Sequence, residues 1–597
     1  MTDFRLALVS MPWAIFDRPS IQLGALKSYV ERNSSIKVET FHPYLNIAKI
    51  LGKDLYHLIS SNVWICEAFY SGVLFPELRL SAKKVVEKEL RKVKSGIPVD
   101  FDAIRARLAS HLAEWAAATD WQRFDLVGFS VCFNQLLATL AAVSSLKKKH
   151  ADLPIVLGGS ACHADSAPAF LRHFPADFVI SGEGEEPLLS LCATLAGRAA
   201  TLDDRVWCAA GLAGKQPAHQ GKELDIATLP CPDYDDYFRE MRQLFAGEVF
   251  IPVIPVEFSR GCWWRKCSFC NLNLQWRGYR HKGAAKMATE VFALADRHKV
   301  LDFAFTDNAL PPKDAVSFFE KVRGSGLDLR FFAEIRADHR GRVMEISRHG
   351  GLTSVQVGIE AFSNSLLEKM SKGVTVIENL AVMKDALAHG VELAGNLIVE
   401  FPGSSKEEVD ETMAVLDFAF PFRPLTTASF FLGHGSPVDC RPADYGIRAK
   451  TTHPYISKLF PSGIGADLPL LVKGYKGDRA RQRKLWAPVV AKVKRWRDYH
   501  RKPGKTAGCL LSYRDGGDFL IIRQVLPDGK VLRHRLLGVS RQIYLSCAAI
   551  VDLPALALQF PSFPRDKIEK FLDDLVAKRL VFKENNRFLS LAVRQGY

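Results

Sequence analysis

The chain has 597 residues and carries 80 Lys+Arg against 65 Asp+Glu, a formal net charge of +15. That length exceeds one hydrophobic core and implies three or four domains. A hydrophobic share of 48% and a charged share of 24% exclude collagen-like or wholly disordered structure, and twelve cysteines are too few for a disulfide scaffold and point to a reducing, cytoplasmic setting.

The first region alternates short apolar strands with helices. RLALVSM (5–11) reads as a strand, IQLGALKSYVE (21–31) as a helix with Ile21, Ala25, Leu26 and Tyr29 on one face, and KVETFHP (37–43) as a second strand. A mostly helical stretch (about 45–118) follows, then strand-to-loop units at 125–131, 154–161 and 177–185. Such alternation predicts a parallel, doubly wound Rossmann-like sheet. Ligands bind at the carboxyl ends of such strands, where the glycines Gly158, Gly159, Gly182 and Gly184 stand beside Ser160 and Glu183.

A Pro- and Asp-rich linker (LPCPDYDDYF, 229–238) leads to six further strand–helix units between about 250 and 433. They predict a partial (β/α)6 barrel with its site at the C-terminal strand ends. Beyond Cys440, a helix at 485–499, a hairpin turning at Asp515-Gly516-Gly517, three short helices and a final hairpin (580–593) suggest an α+β winged-helix-like module. The predicted limits are 1–200 for the first domain, 201–245 for the linker, 246–440 for the barrel, 441–505 for a basic connector and 506–597 for the terminal module. No uncharged apolar stretch reaches the length of a membrane span, and the acidic start of the chain makes a poor signal peptide.

The charge is uneven. Residues 441–597 hold 31 Lys+Arg and 13 Asp+Glu, a net of +18, which leaves the remainder at −3. The last quarter therefore binds something anionic.

The densest chemistry is Cys262-Trp-Trp-Arg-Lys-Cys267-Ser-Phe-Cys270, directly after the first barrel strand. Three thiolates suit a [4Fe–4S] cluster with one open iron; a zinc knuckle is the alternative, but no second cysteine pair stands nearby.

This segment resembles the cluster loop of radical S-adenosylmethionine (SAM) enzymes, with one residue more than the usual CxxxCxxC between the first two ligands. The resemblance makes Cys262, Cys267 and Cys270 the cluster ligands. It implies SAM contacts from Asp307 and Asn308 in TDN, Glu334 and Arg336 in AEIRAD, and Glu360 in VGIEAF. The N-terminal motifs GFSVCFNQ (128–135), GGSAC (158–162) and GEGEEPLL (182–189) resemble a cobalamin-binding domain. They imply cobalamin contacts from Ser130, Gln135, Gly158, Gly159, Ser160, Gly182, Glu183 and Gly184. A DxHxxG motif is absent, so the resemblance implies cobalamin without a protein His on cobalt.

SRGCWW (259–264), GYRHKG (278–283) and GSPVDCRPADYGI (435–447) look like the peptide-maturation branch of cobalamin-dependent radical SAM C-methyltransferases. That resemblance implies methylation of a precursor peptide. Its acidic leader would be held by the basic C-terminal region, and flavodoxin or ferredoxin would donate electrons. The winged module would then be separable from SAM binding. Small-molecule or lipid precursors and tRNA are the rival substrates, and a DNA-binding cobalamin sensor is the non-enzymatic rival.

Overall fold

The computed structural model describes residues 4–93, 95–209, 223–248, 250–274, 276, 278–502 and 509–595. Its first sheet has the spatial order Lys37–Phe41, Arg5–Ser10, Leu126–Ser130, Ile155–Gly158, Phe178–Ile180 and Val206–Cys208. The first five strands run parallel and the last is antiparallel. The strand order reverses beside Arg5–Ser10, a topological switch of the kind that binds ligands in open α/β sheets.

Helix Ile21–Asn33 buries Leu23, Gly24, Lys27 and Val30 rather than the predicted stripe. The reason is Lys27, drawn inward by Asp236 at 2.8 Å and Asp233 at 3.4 Å. Three members of the predicted stripe, Ile21, Ala25 and Leu26, instead line a cavity. An apolar stripe that faces an open cavity and one that faces packed core read alike in a sequence.

The helical insertion packs onto the loop after the third strand. Glu67, from helix Val63–Leu74, accepts from the backbone N–H groups of Leu136 (3.1 Å) and Leu137 (2.8 Å), at the start of helix Leu136–Lys149. Burial pushes its carboxyl up to about 8, against the pull of those two N–H groups. A carboxyl in this place completes unsatisfied donors of the helix N-terminus.

The second sheet is six-stranded and all parallel. Its order is Ile254–Val256, Asp302–Phe305, Arg330–Ile335, Leu352–Glu360, Glu392–Val399 and Thr426–Ser429. The ends do not pair, so it is an open partial barrel. Along Glu392–Val399 the side chains alternate exposed and buried. One face packs on the outer helices, and the other is left to the lumen.

The C-terminal part brings the antiparallel strands Leu511–Asp515, Phe519–Val525 and Val531–Leu537 together. The order helix Gly538–Ser546, strand Val551–Asp552, helices Leu553–Gln559 and Arg565–Ala577, then hairpin Val581–Glu584 and Arg587–Ser590 follows, a winged-helix-like arrangement. This module is wired into the barrel. Glu584 Oε1 accepts from Asn364 Nδ2 at 2.8 Å and from the Ile377 backbone N–H at 3.1 Å. Lys384 reaches the Ala548 carbonyl at 2.5 Å. The separability expected above therefore meets a physical obstacle, because the module supplies partners to buried barrel groups.

Among the described residues, no helix is long and apolar enough to cross a membrane.

Candidate functional site

The cluster loop begins where Ser259–Arg260 pairs with Arg280–His281. Gly261 has φ +79°, and a Cβ there would stand 2.6 Å from the Gly278 carbonyl. Only glycine makes this turn without strain. The loop is then tied down along its length. Trp264 Nε1 donates to the Ser371 carbonyl at 2.7 Å, Ser268 N to the Met370 carbonyl at 2.9 Å, and Val438 N to the Ser268 carbonyl at 3.0 Å. Gly373, at φ +69°, leaves room for the Trp264 ring, which any Cβ would overlap at 1.9 Å.

The three thiols of this loop sense one another electrostatically. Burial pushes Cys267 and Cys270 up, the latter to about 11, and the neighbouring thiols add to the rise while Lys372 opposes it. Among the described residues, the one group of potential ligand atoms converging within 4.8 Å is His163, Asp165 and His434, not these cysteines.

Three candidate SAM residues gather beside the loop. Glu360 sits at φ +61°, where the register shifts between Leu352–Glu360 and its neighbour strand, and its carboxylate binds Lys372 Nζ at 2.9 Å. Arg336 donates to the Lys372 carbonyl at 2.5 Å and lies 5.1 and 4.9 Å from the Trp263 and Trp264 ring centres. Its Nε is buried with no hydrogen-bond partner, a donor that an incoming carboxylate would satisfy. Glu334 accepts from Gln356 Nε2 at 3.3 Å. Burial, with Glu360 nearby, raises its carboxyl to about 7 despite Lys372.

Asp307 is placed differently. One oxygen accepts from Phe258 N at 3.0 Å and the other from Ser259 Oγ at 2.5 Å, and the residue is 2% exposed. Burial lifts it to about 7. Asp307 therefore positions the strand that leads into the cluster loop and is not turned to a ligand; Asn308 remains at a cavity wall.

That cavity, about 320 Å³, opens between the two sheets. One wall is Ser130, Gly158, Gly159, Ser160, Gly182, Glu183 and Gly184; the facing wall is Glu257, Ser259, Arg260, Leu272, Trp276 and Asn308. Its floor is apolar, from Leu8, Val156, Ile180 and Leu188. A Cβ on Gly182 would meet no atom within 4 Å, and one on Gly158 would meet only Ile180 near that limit, so these glycines keep the cradle open. Gly159 has φ +114°, and a Cβ there would lie 2.9 Å from Val131 N and O. Gln135 does not reach the cavity. Its amide is buried against Ser10 Oγ at 3.1 Å and the Met11 carbonyl.

The two walls are joined by charges, and Glu183, expected as a cobalamin contact, is bound within them. Arg260 is 5% exposed and pairs with Glu185 (2.5 Å), Glu257 (2.8 Å) and Glu183 (3.1 Å). Arg280 binds Glu183 at 2.6 Å. Burial alone would raise Glu183, but Arg280 and Arg260 hold it below the usual carboxylate range. Both arginines lie inside quoted motifs, SRGCWW and GYRHKG, yet only the fold shows that they reach the first domain. The same network engages Glu257 as an ion-pair partner of Arg260.

Neither His163 nor His173 lines this cavity. His173 pairs with Asp467 at 2.7 Å. His163 stacks on His434, with 4.8 Å between ring centres, and bonds the Pro469 carbonyl at 3.0 Å. Burial first, and His434 second, lower His163 to about 4.

The comparisons with known proteins fit this geometry. Residues 256–416 match the Radical SAM superfamily. This barrel, with its cysteine loop at the strand ends, is a radical SAM domain. The chain is 27% identical over 308 residues to an uncharacterized methyltransferase of Pyrococcus horikoshii, covering 48% of this chain and 63% of that one. It is 26% identical over 311 residues to the hopanoid C-3 methylase of Methylococcus capsulatus, covering 50% and 58%. The chain thus spans under two thirds of the length of these relatives. Among solved structures, the radical SAM methyltransferase TsrM from Kitasatospora setae, with cobalamin and a [4Fe-4S] cluster bound, superposes with a TM-score of 0.55 at 16% identity, covering 84% of this chain and 90% of that one. At that identity the likeness is one of fold.

Proposed function

We propose that this protein is a cobalamin-dependent radical SAM methyltransferase acting on a small-molecule or lipid precursor. The observation that carries the reading is the cavity between the sheets, walled by glycine loops at a topological switch on one side and by the base of the cluster loop on the other. The named activities of the relatives support the chemistry: one is a methyltransferase and one a hopanoid methylase. TsrM, a neighbour in fold, has been solved with a tryptophan substrate.

The residues fit the groups required. Cys262, Cys267 and Cys270 would hold the cluster, Arg336 and Glu360 the charged end of SAM, and the glycine cradle the cobalamin. When bound, the cluster supplies an electron to SAM and cobalamin carries a methyl group. The protein orients and shields these groups. Arg336 offers a buried unpaired donor, Trp263 and Trp264 wall the loop beside it, and Lys372 fixes Glu360. The apolar floor excludes water from the cradle. Glu334, with a carboxyl near neutrality, is placed to hold or release a proton in the lumen.

A second reading keeps the precursor peptide. Strand Val531–Leu537 is a sheet edge, and Val531, Arg533, Arg535 and Leu537 on it are exposed. An acidic peptide could add there as a further strand. In either reading an external electron donor such as flavodoxin or ferredoxin would reduce the cluster.

Anaerobic reconstitution followed by iron, sulfide and cobalamin analysis, with S-adenosylhomocysteine release from SAM, tests the main reading. Stoichiometric cluster and corrinoid with SAM turnover are expected. A protein that binds neither iron nor corrinoid would overturn it. Loss of peptide binding on Arg533→Glu with Arg535→Glu would favour the second reading, and unchanged binding would remove it.

A further inference from the structure

The barrel lumen opens at the end opposite the cluster. A cavity of about 890 Å³ lies there, against the starts of strands Glu392–Val399 and Thr426–Ser429 and the end of helix Arg479–His500. Its inner wall is Gln356, Ala394, Asn396 and Thr426, lumen-facing positions of the barrel. Its outer rim is Arg423, Arg497 and Arg501.

The rim is electrostatically incomplete. Arg423 is answered by Glu392 on the same rim. Among the described residues, Arg497 and Arg501 have no carboxylate within ion-pair distance. His500 is turned away from the rim: its Nε2 donates to the Phe420 carbonyl at 2.9 Å, and burial, outweighing that bond, lowers its pKa. The rim thus carries two uncompensated guanidiniums above a wall of Leu387, Val391, Pro424 and Leu510. Cations over an apolar wall match an amphiphile whose anionic head stays outside.

The cavity also touches a residue bonded to the candidate site. Gln356, on its inner wall, donates to Glu334, and Glu334 lies within the field of Glu360 and Lys372 beside the cluster loop. Seven residue steps along Glu392–Val399 give about 23 Å of strand between this rim and the barrel end that carries the cluster loop.

We propose that the lower mouth of the barrel binds the anionic head of an elongated substrate, a carboxylate or a phosphate, on Arg497 and Arg501, with the body of the molecule running up the lumen past Gln356 and Asn396. The proposal rests on the reading above only for which end of the substrate reacts. The mouth also gives a local role to part of the positive charge concentrated after residue 441.

The test uses the full-length protein, without cluster or SAM, and three ten-carbon probes: decanoate, decyl phosphate and decanol. Calorimetry is expected to show each anion binding at least about tenfold more tightly than decanol, since a paired charge is worth about 1.4 kcal/mol or more. The more tightly bound of the two anions identifies the head group. Arg497→Gln with Arg501→Gln is expected to bring all three within about twofold while leaving decanol unchanged. Cys509 lines the same cavity, so decanoate should slow its alkylation by iodoacetamide several-fold, read by peptide mass mapping. An anion preference that survives the double substitution overturns the proposal, as does an unprotected Cys509 under saturating decanoate. Because the probes need no cofactor, failure here leaves the cofactor reading standing, and failure to bind iron or corrinoid leaves this binding result interpretable.

Discussion

Replacing Arg260 by Met tests how the two cofactor-bearing domains are held together. Arg260 is 5% exposed and serves Glu183, Glu185 and Glu257 at 2.5 to 3.1 Å. Met keeps most of the side-chain volume but leaves three carboxylates, of which only Glu183 retains an arginine, Arg280. Removing one partner of a buried ion pair costs about 3–5 kcal/mol, most of it from the charge left behind. The pH dependence separates this cause from simple loss of packing. In the native protein Glu183 is held below its ordinary pKa, so its stabilising contribution is present above about pH 4.5 and is lost as pH falls through the lower folded value. In the Met variant burial dominates and raises the orphaned carboxylates. The variant should then lose stability as pH rises from about 5 to 8, opposite in sign to the native contribution. Urea unfolding followed by intrinsic tryptophan fluorescence at pH 5.5 and 8.0 measures both slopes. A loss under about 1 kcal/mol, or a loss equal at the two pH values, would refute the reasoning.

Other outcomes follow from the same geometry. Cys270→Ala should reduce iron and sulfide to background after anaerobic reconstitution while far-UV circular dichroism stays native. Gly159→Ala forces φ +114° on a residue with a Cβ 2.9 Å from Val131; about 1–3 kcal/mol of destabilisation is expected, with corrinoid retention on gel filtration falling in parallel. Glu334 has a folded pKa raised from 4.5 to about 7, so it takes up a proton on folding and destabilises the protein as pH rises through that window. At about 1.36 kcal/mol per pKa unit this amounts to roughly 3 kcal/mol above pH 7, and Glu334→Gln should flatten the stability–pH curve there. Truncation after about residue 505 leaves Ile377 N and Asn364 without Glu584; barrel unfolding at lower denaturant is expected, and an unchanged midpoint would show the module to be detachable.

The sequence alone determined the parallel strands of both sheets and marked out the three-cysteine loop; it missed the antiparallel edge strand Val206–Cys208, which lies within the stretch expected to be linker. Local signals suffice for these: period-2 and period-3.6 patterns mark strands and helices, and three cysteines within nine residues need no partner from elsewhere. Glycines at strand ends likewise announced the cradle. Tertiary structure decided what those residues face. Asp307 and Gln135 stand in the motifs as ligand candidates, but the fold spends both on neighbouring backbone and hydroxyl groups. Lys27, an ordinary surface residue by type, is buried because Asp233 and Asp236 arrive from more than 200 positions away, and that rotates the predicted face of its helix toward the cavity. Arg260 becomes the interdomain tie for the same reason. The open lower mouth of the barrel is set by where helix Arg479–His500 ends against the strand starts. Ion pairing and burial depend on groups brought together by long-range closure, and no local pattern encodes that partner.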